Sequence, residues 1–294
     1  MSPVVLITGV TSGIGRATAA YLASRQMQVF GTVPEPVDGL QQHPDGYHIM
    51  TMDVRDDAAV RQAVGAIMAR AGHVDVLVNN AGVGFNAPVE ETRIEDARRV
   101  FEINTLGPLR VIQAVLPSMR QRRRGLIINT SSIGGQIAIP FDGVYSASKF
   151  ALEGLSEALS LELLPFGIKV VILEPGNINT SMTLRSSTKQ THDTKSPYFQ
   201  FHENAYAAAV ANEREGSSPL MIARKIEAII AERKPALRYV GGTLIERLMI
   251  PVKHLLPGRL FERLVAREYR LDAAGQGPGA GAQAGTGQAG RGAV

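Results

Sequence analysis

Tyr145 and Lys149 stand four residues apart in Tyr145-Ser-Ala-Ser-Lys149, and the serine pair Ser131-Ser132 closes an apolar run just upstream. On a helix, residues i and i+4 share a face, so the spacing predicts the Lys149 ammonium beside the Tyr145 phenol, favouring its ionised form. Each unit of downward shift from a free tyrosine's pKa of about 10 corresponds to roughly 1.4 kcal/mol of preference for the phenolate. A phenol, an ammonium and a hydroxyl so disposed can move a proton at a carbonyl. Tyr and Lys four apart are common on helices, so the assignment rests on what the rest of the chain supplies.

Holding such a set requires a rigid frame, and the apolar pattern predicts one. Short apolar runs at Val4–Ile7, Gln28–Val33, Tyr47–Met52, Val74–Asn79, Leu126–Thr130 and Ile168–Leu173 alternate with helical patterns at Ile14–Ser24, Ala58–Ala71, Ala97–Met119 and Val144–Leu164. This alternation predicts βαβ units with right-handed crossovers, and hence an α/β fold with a doubly wound parallel sheet between two helical layers. The strands are apolar at nearly every position, as burial of both faces requires. After Leu173 the regularity breaks. Asn177–Phe201 is polar, rich in Ser and Thr, and long for a connection in a compact domain, so it reads as a lid. Helical patterns return at Ala205–Arg214 and Leu220–Arg233, and Leu237–Val240 reads as a last strand.

Beyond that strand, Leu244, Ile245, Leu248, Met249, Val252, Leu255 and Leu256 recur at helical spacing with Pro251 as an interruption, and Leu260, Phe261, Leu264 and Val265 continue the theme. Such segments could close over an apolar ligand, pack on the sheet edge or touch a membrane surface. The expected organisation is one domain over 1–272, with a substrate lid at about 177–215, C-terminal helices at about 242–270 and a Gly/Ala-rich tail at 273–294. That tail lacks the apolar surface to offset its ordering entropy and is expected to be disordered.

Composition narrows the chemistry. The chain of 294 residues has no cysteine, which excludes disulfides, thiolate catalysis and cysteine metal sites. Its six histidines lack ligand spacing, so no metal is expected. The net charge is +4, but bases are interleaved with acids, which argues against a nucleic-acid partner. Arg122-Arg123-Arg124 is the one dense basic run and reads as a solvated turn at a helix C-terminus. Met1-Ser2-Pro3 leads straight into the first strand without a secretory signal, and a cytoplasmic location is expected.

Thr8-Gly9-Val10-Thr11-Ser12-Gly13-Ile14-Gly15 lies between the first strand and the first helix. Glycines at 9, 13 and 15 let the backbone turn tightly and approach a pyrophosphate at the helix N-terminus. The candidates for phosphate contact are Gly9, Thr11, Ser12, Gly13, Ile14 and Gly15. At the end of the second strand, where an acid would select NAD and a cation NADP, the sequence reads Gly31-Thr32-Val33-Pro34-Glu35. Glu35 or Arg16 could reach the ribose, so NAD or NADP is left open. Asp53-Val54 could clamp an adenine, or Asp53 could cap the helix that starts near Asp56.

With that loop, Asn79-Asn80-Ala81-Gly82, Asn104, Ser132, Tyr145-x-x-x-Lys149 and Pro175-Gly176 in order, the chain resembles the short-chain dehydrogenase/reductase family. Ile133-Gly134-Gly135 and Phe150-Ala151-Leu152-Glu153-Gly154-Leu155 are similar to the group holding 17β-hydroxysteroid dehydrogenase type 1 and related retinol dehydrogenases. The resemblance implies a Rossmann fold and NAD(P)-dependent hydride transfer between a secondary alcohol and a ketone. Its apolar C-terminal segments point to a lipophilic, steroid-, retinoid- or bulky ketone-like substrate.

The same resemblance implies roles for the motif residues. Tyr145 is the general acid or base, and Lys149 tunes it and holds the nicotinamide ribose. Ser132, rather than Ser131, bonds the substrate oxygen. Asn104 holds a water linking Lys149 to solvent, against the alternative of a buried asparagine satisfied by backbone. Asn79 braces the strands, Asn80, Ala81 and Gly82 line the ribose, and Pro175, Gly176, Ile178 and Thr180 surround the nicotinamide. A homodimer or homotetramer is expected through the two long helices, with at most peripheral membrane contact. A dinucleotide sensor without turnover, or enoyl reduction or epimerisation on the same fold, is the alternative.

Overall fold

The computed structural model describes residues 2–186 and 193–271, with 184 and 185 by backbone alone. The expected disorder of 273–294 lies outside the described residues. The chain runs β1 (Val4–Thr8), α1 (Gly13–Ser24), β2 (Gln28–Val33), β3 (Gln41–Gln42), β4 (His48–Thr51), α2 (Asp57–Ala71), β5 (Val76–Asn79), α3 (Ile94–Phe101), α4 (Gly107–Arg122) and β6 (Gly125–Thr130). It continues through α5 (Gly143–Leu163), β7 (Ile168–Pro175), α6 (Met182–Ser186), α7 (Phe199–Glu215), α8 (Pro219–Ala231), β8 (Arg238–Gly241), α9 (Leu244–Leu255) and α10 (Gly258–Glu268).

These strands form one sheet in the order β3-β4-β2-β1-β5-β6-β7-β8. Every described pairing is parallel except that of the short β3 with β4. Side chains alternate between faces along a strand, and the core follows that alternation. Val4 and Leu6 join the layer beneath α2 and α4, while Val5 and Ile7 join the layer beneath α1 and α8. Covering both faces makes the sheet a three-layer, doubly wound Rossmann structure. The strand order reverses between β1 and β5, and in such sheets ligands bind at the carboxyl ends flanking that switch.

Three local features depart from the sequence pattern. The expected helix over Ala97–Met119 is α3 and α4 joined by a π turn at Glu102–Leu106. The wider turn accommodates Asn104, whose side chain is fully buried and bonded. α9 runs through Pro251 instead of stopping there, anchored at its start by a Thr243–Glu246 capping box. Within the expected lid, α6 occupies Met182–Ser186 and α7 starts at Phe199, earlier than the pattern at Ala205.

Candidate active site

The loop after β1 is shaped by close approach. A Cβ on Gly15 would fall 2.1 Å from the Gly9 carbonyl oxygen and 2.4 Å from Asn80 Nδ2, and one on Gly9 would fall 2.7 Å from Ala81 Cα. Gly9 and Gly13 adopt positive φ (74° and 56°), which glycine takes without penalty. Asn80 ties the turn together, its Nδ2 donating to the carbonyls of Thr8 and Gly9 at 3.0 Å, while the Asn80 and Ala81 amides donate to Thr8 Oγ1. α1 begins after Ser12 without a side-chain cap. A helix end of this kind presents backbone N–H groups to an anion. The residues present therefore fit a dinucleotide pyrophosphate.

Thr180 stands 3.3 Å from where a Gly13 Cβ would be, bringing the segment after β7 against this loop. Ile14 packs on the core beneath it. Toward the end of β2, Thr11, Arg16, Glu35 and His43 line one recess. The cation and the acid that would favour NADP and NAD respectively share that wall, and Arg16 pairs with Asp45 at 3.7 Å. Asp53 does not cap α2. Asp56 does, accepting from Ala58 and Ala59, while Asp53 takes a forked ion pair from Arg55 that lowers its pKa. Val54 is buried against Gly107.

At the carboxyl ends of the central strands, Ser132, Tyr145 and Lys149 come together. Lys149 Nζ is buried, donates to the Thr130 carbonyl at 2.9 Å and lies 5.8 Å from the Tyr145 ring centroid. Gly82 faces it, the position of a Gly82 Cβ lying 3.6 Å from Nζ and 3.3 Å from Asn104 Oδ1. Ser132 Oγ accepts the Gly134 amide at 3.0 Å and hydrogen-bonds the Tyr145 phenol. Ser131 points away, buried toward Glu153.

The expected electrostatics need correction. Burial raises the Tyr145 phenol to about 12, against the lowering hydrogen bond from Ser132. Burial also pulls Lys149 down to about 8, with the Glu153 carboxylate opposing. The i,i+4 neighbourhood is present, but desolvation outweighs the anticipated lowering of the phenol by the ammonium.

Asn104 is held from three sides. Its Oδ1 accepts the Val83 amide, and its Nδ2 donates to the Val83 carbonyl and to Ser148 Oγ, all within 2.9–3.0 Å. Ser148 Oγ in turn donates to the Tyr145 carbonyl at 2.7 Å. Both Nδ2 hydrogens are thus engaged, which is the satisfied-asparagine alternative. Asn79 donates across β5 to Asn129 on β6 at 2.9 Å, bracing the strands.

On the far side, Pro175 ends β7, the Gly176 amide donates to Gly241, and Ile178 is buried in the core. The Glu246 carboxylate of α9 occupies the space a Gly176 side chain would need and accepts the Asn177 amide at 2.6 Å. Glu213 of α7 accepts Thr180 Oγ1 at 2.5 Å and the amides that start α6. α6 packs over Gly84 through Ser186, and the segment leading to α7 bonds Glu90 and Glu91 through Tyr198 and Ser196 at 2.5 Å.

Glu213, Glu246 and Ser148 escaped the sequence reading. A carboxylate three residues after Thr243 was the readable signal for Glu246; the others meet their partners only in three dimensions. Asp142, which also escaped it, reads as an ordinary helix start. Arg122 ends α4 and donates to Asp75 and the Val74 carbonyl instead of standing in a solvated turn, while Arg123 lies in the turn that follows and donates to the Pro165 carbonyl. No group of His, Asp and Glu among the described residues could hold a metal, and no described helix is long and apolar enough to cross a membrane.

Comparison with known proteins adds to this geometry. The short chain dehydrogenase family profile matches residues 3–191. A 3-ketodihydrosphingosine reductase of Bacteroides thetaiotaomicron is 37% identical over 268 residues, covering 91% of this chain and 98% of its own. Human 17-beta-hydroxysteroid dehydrogenase type 1 is 34% identical over 252 residues, covering 80% and 76%. The crystal structure of a short-chain dehydrogenase from Streptomyces avermitilis superposes with a TM-score of 0.74 at 31% identity, covering 92% and 97%.

Proposed function

We propose, from the premise that the chain belongs to the short chain dehydrogenase family and is an oxidoreductase of C=O and CH–OH groups, that it interconverts a ketone and a secondary alcohol on a lipophilic, long-chain molecule with NAD or NADP. The observation that carries this reading is the convergence of Ser132, Tyr145 and Lys149 beside a glycine loop cut to fit a pyrophosphate. When bound, the nicotinamide supplies or accepts the hydride. Tyr145 gives its phenolic proton to the carbonyl oxygen in reduction and takes it back in oxidation. Ser132 Oγ accepts the Gly134 amide and bonds the Tyr145 phenol, and turning its hydrogen from that phenol to the substrate oxygen lets it stabilise the negative charge that develops there. Lys149 stays a buried cation beside that chemistry. Asn104 and Ser148 hold the turn of α5 that carries Tyr145.

The lipophilic part of the reading draws on α9 and α10, which expose Leu244, Ile245, Leu248, Leu255, Leu260 and Leu264. It draws also on the Bacteroides relative, whose name gives it a ketone on a long chain. A steroid is the second reading, favoured by the likeness to the human enzyme. Incubation with NADH and NADPH separately against 3-ketodihydrosphingosine, ketosteroids and small ketones, followed by nicotinamide absorbance, separates them. Turnover of small ketones alone would overturn the lipophilic reading. The exposed Leu106, Phe150, Leu161 and Leu164 on and around α4 and α5 support a homodimer or homotetramer, which light scattering at micromolar concentration checks; a single monomeric species would refute it.

A further inference from the structure

The neighbourhood of Tyr145 holds a carboxylate that the reaction above does not use. Asp142 lies three residues before Tyr145, at the start of α5. An aspartate there ordinarily caps the helix through its side chain, yet Asp142 makes no capping hydrogen bond. Its Oδ1 instead accepts from Asn86 Nδ2 at 2.9 Å, and Asn86 Oδ1 lies 2.5 Å from His202 Nε2 on α7. Asn86 and His202 are sealed from solvent, whereas Asp142 is half-buried. The carboxylate is therefore fixed from behind by two buried groups of other elements.

Its backbone is fixed as well. Phe141 holds a left-handed φ of 63°, its carbonyl accepts the Ala87 amide at 2.8 Å, and its ring meets the His202 ring edge-on at 5.2 Å. A bulky residue in that region costs on the order of 1 kcal/mol, a strain that persists where surrounding structure over-determines it. Among the residues whose side chains are described, Asn86 is the side-chain partner of Asp142 and no Lys or Arg pairs with it. Burial raises the phenols of Tyr145 and of Tyr269, just beyond α10, and the Asp142 charge adds to both in the same direction. Burial pushes the carboxyl itself to about 7.

An anion in this place opposes the phenolate that Tyr145 becomes on protonating a ketone. A hydroxyl or methylene on the substrate would leave that opposition standing; a cation cancels it and completes the missing ion pair. We infer that Asp142 receives an ammonium group carried beside the reacting carbonyl, so that this chain prefers amino-ketones and amino-alcohols to plain ones. The inference rests on the carbonyl reaction proposed above. The substrate is then held at its oxygen by Ser132 and Tyr145 and at its nitrogen by Asp142.

The test measures NADH and NADPH oxidation by the full chain on two long-chain ketones that differ only in an amino group on the carbon next to the carbonyl. The same pair is run on Asp142→Asn. Wild-type kcat/KM should be about tenfold or more higher for the amino-ketone, mostly through KM, the scale of one charged hydrogen bond. That ratio should collapse toward unity in the variant. Equal wild-type use of both ketones, or a ratio unchanged in Asp142→Asn, overturns the inference and leaves carbonyl reduction standing. Oxidation with neither ketone, nor with any other carbonyl compound, refutes the reaction itself and the inference with it. Should Asp142→Asn fail to fold, inhibition of wild type decides: a long-chain amine should compete about tenfold or more better than the matching alcohol, and equal inhibition overturns the proposal.

Discussion

Burial keeps Tyr145 protonated up to about 12 and leaves Lys149 charged only below about 8. At neutral pH the site thus holds a neutral phenol and an ammonium, the pair needed to deliver a proton to a ketone. Lys149's lowered pKa sets the sign of the pH dependence: the ammonium is present below about 8 and lost above it. Ketone reduction should accordingly decline as pH rises through that value, and a kcat/KM profile from pH 6 to 10 checks it. The Glu153 carboxylate raises the Lys149 pKa, so Glu153→Gln should move the decline to lower pH; a limb that stays in place would remove Glu153 from the account. The Tyr145–Lys149 spacing was readable because helical periodicity dictates it. The direction of the Tyr145 shift was not, because desolvation depends on how the folded chain surrounds the phenol.

Among the elements, the strands were legible because burial on both faces makes them continuous apolar runs with little else to be. The π turn at Glu102–Leu106 was not: a wider turn uses the same residue types as the α-helix around it, and only the bonds from Asn104 to Val83 and Ser148 reveal what it accommodates. Pro251 misled in the opposite sense, since a proline removes one hydrogen bond but does not end a helix that is capped and docked elsewhere. Asp142 was hidden because an aspartate before a helix has an ordinary explanation in local sequence. The glycine loop was legible from spacing, and its tolerance is now quantitative. A Gly15→Ala side chain would meet backbone at 2.1 Å, so the loop must shift. NADH and NADPH binding, followed by fluorescence titration, should weaken by about tenfold or more, the loss of roughly one charged contact to the pyrophosphate. Unchanged affinity would mean that the dinucleotide does not pass over this turn.

For the whole molecule, the carboxyls raised by desolvation set how stability responds to pH. Asp142 and Glu153 are raised to about 7, and Glu174 is raised as well, so the folded state holds protons that the unfolded chain has already released. Their contribution is complete below the unfolded values of 3.8 and 4.5 and is lost as pH rises through about 7. Asp53 and Asp75 are lowered and act only at more acidic pH, while Lys149 acts above about 8. The urea midpoint should therefore fall between pH 5 and pH 7.5. A midpoint that rises over that interval would contradict the burial of these carboxyls. Their clustering around α5, the helix that carries Tyr145 and Lys149, means that the molecule gives up stability where it does its chemistry.

Tyr145→Phe removes the group that transfers the proton at the substrate carbonyl. NAD(P)H-dependent reduction of a long-chain ketone should fall by about a hundredfold or more, the usual scale of general acid catalysis, while the dinucleotide still binds with nearly wild-type affinity. Near-wild-type turnover in that variant would contradict the account.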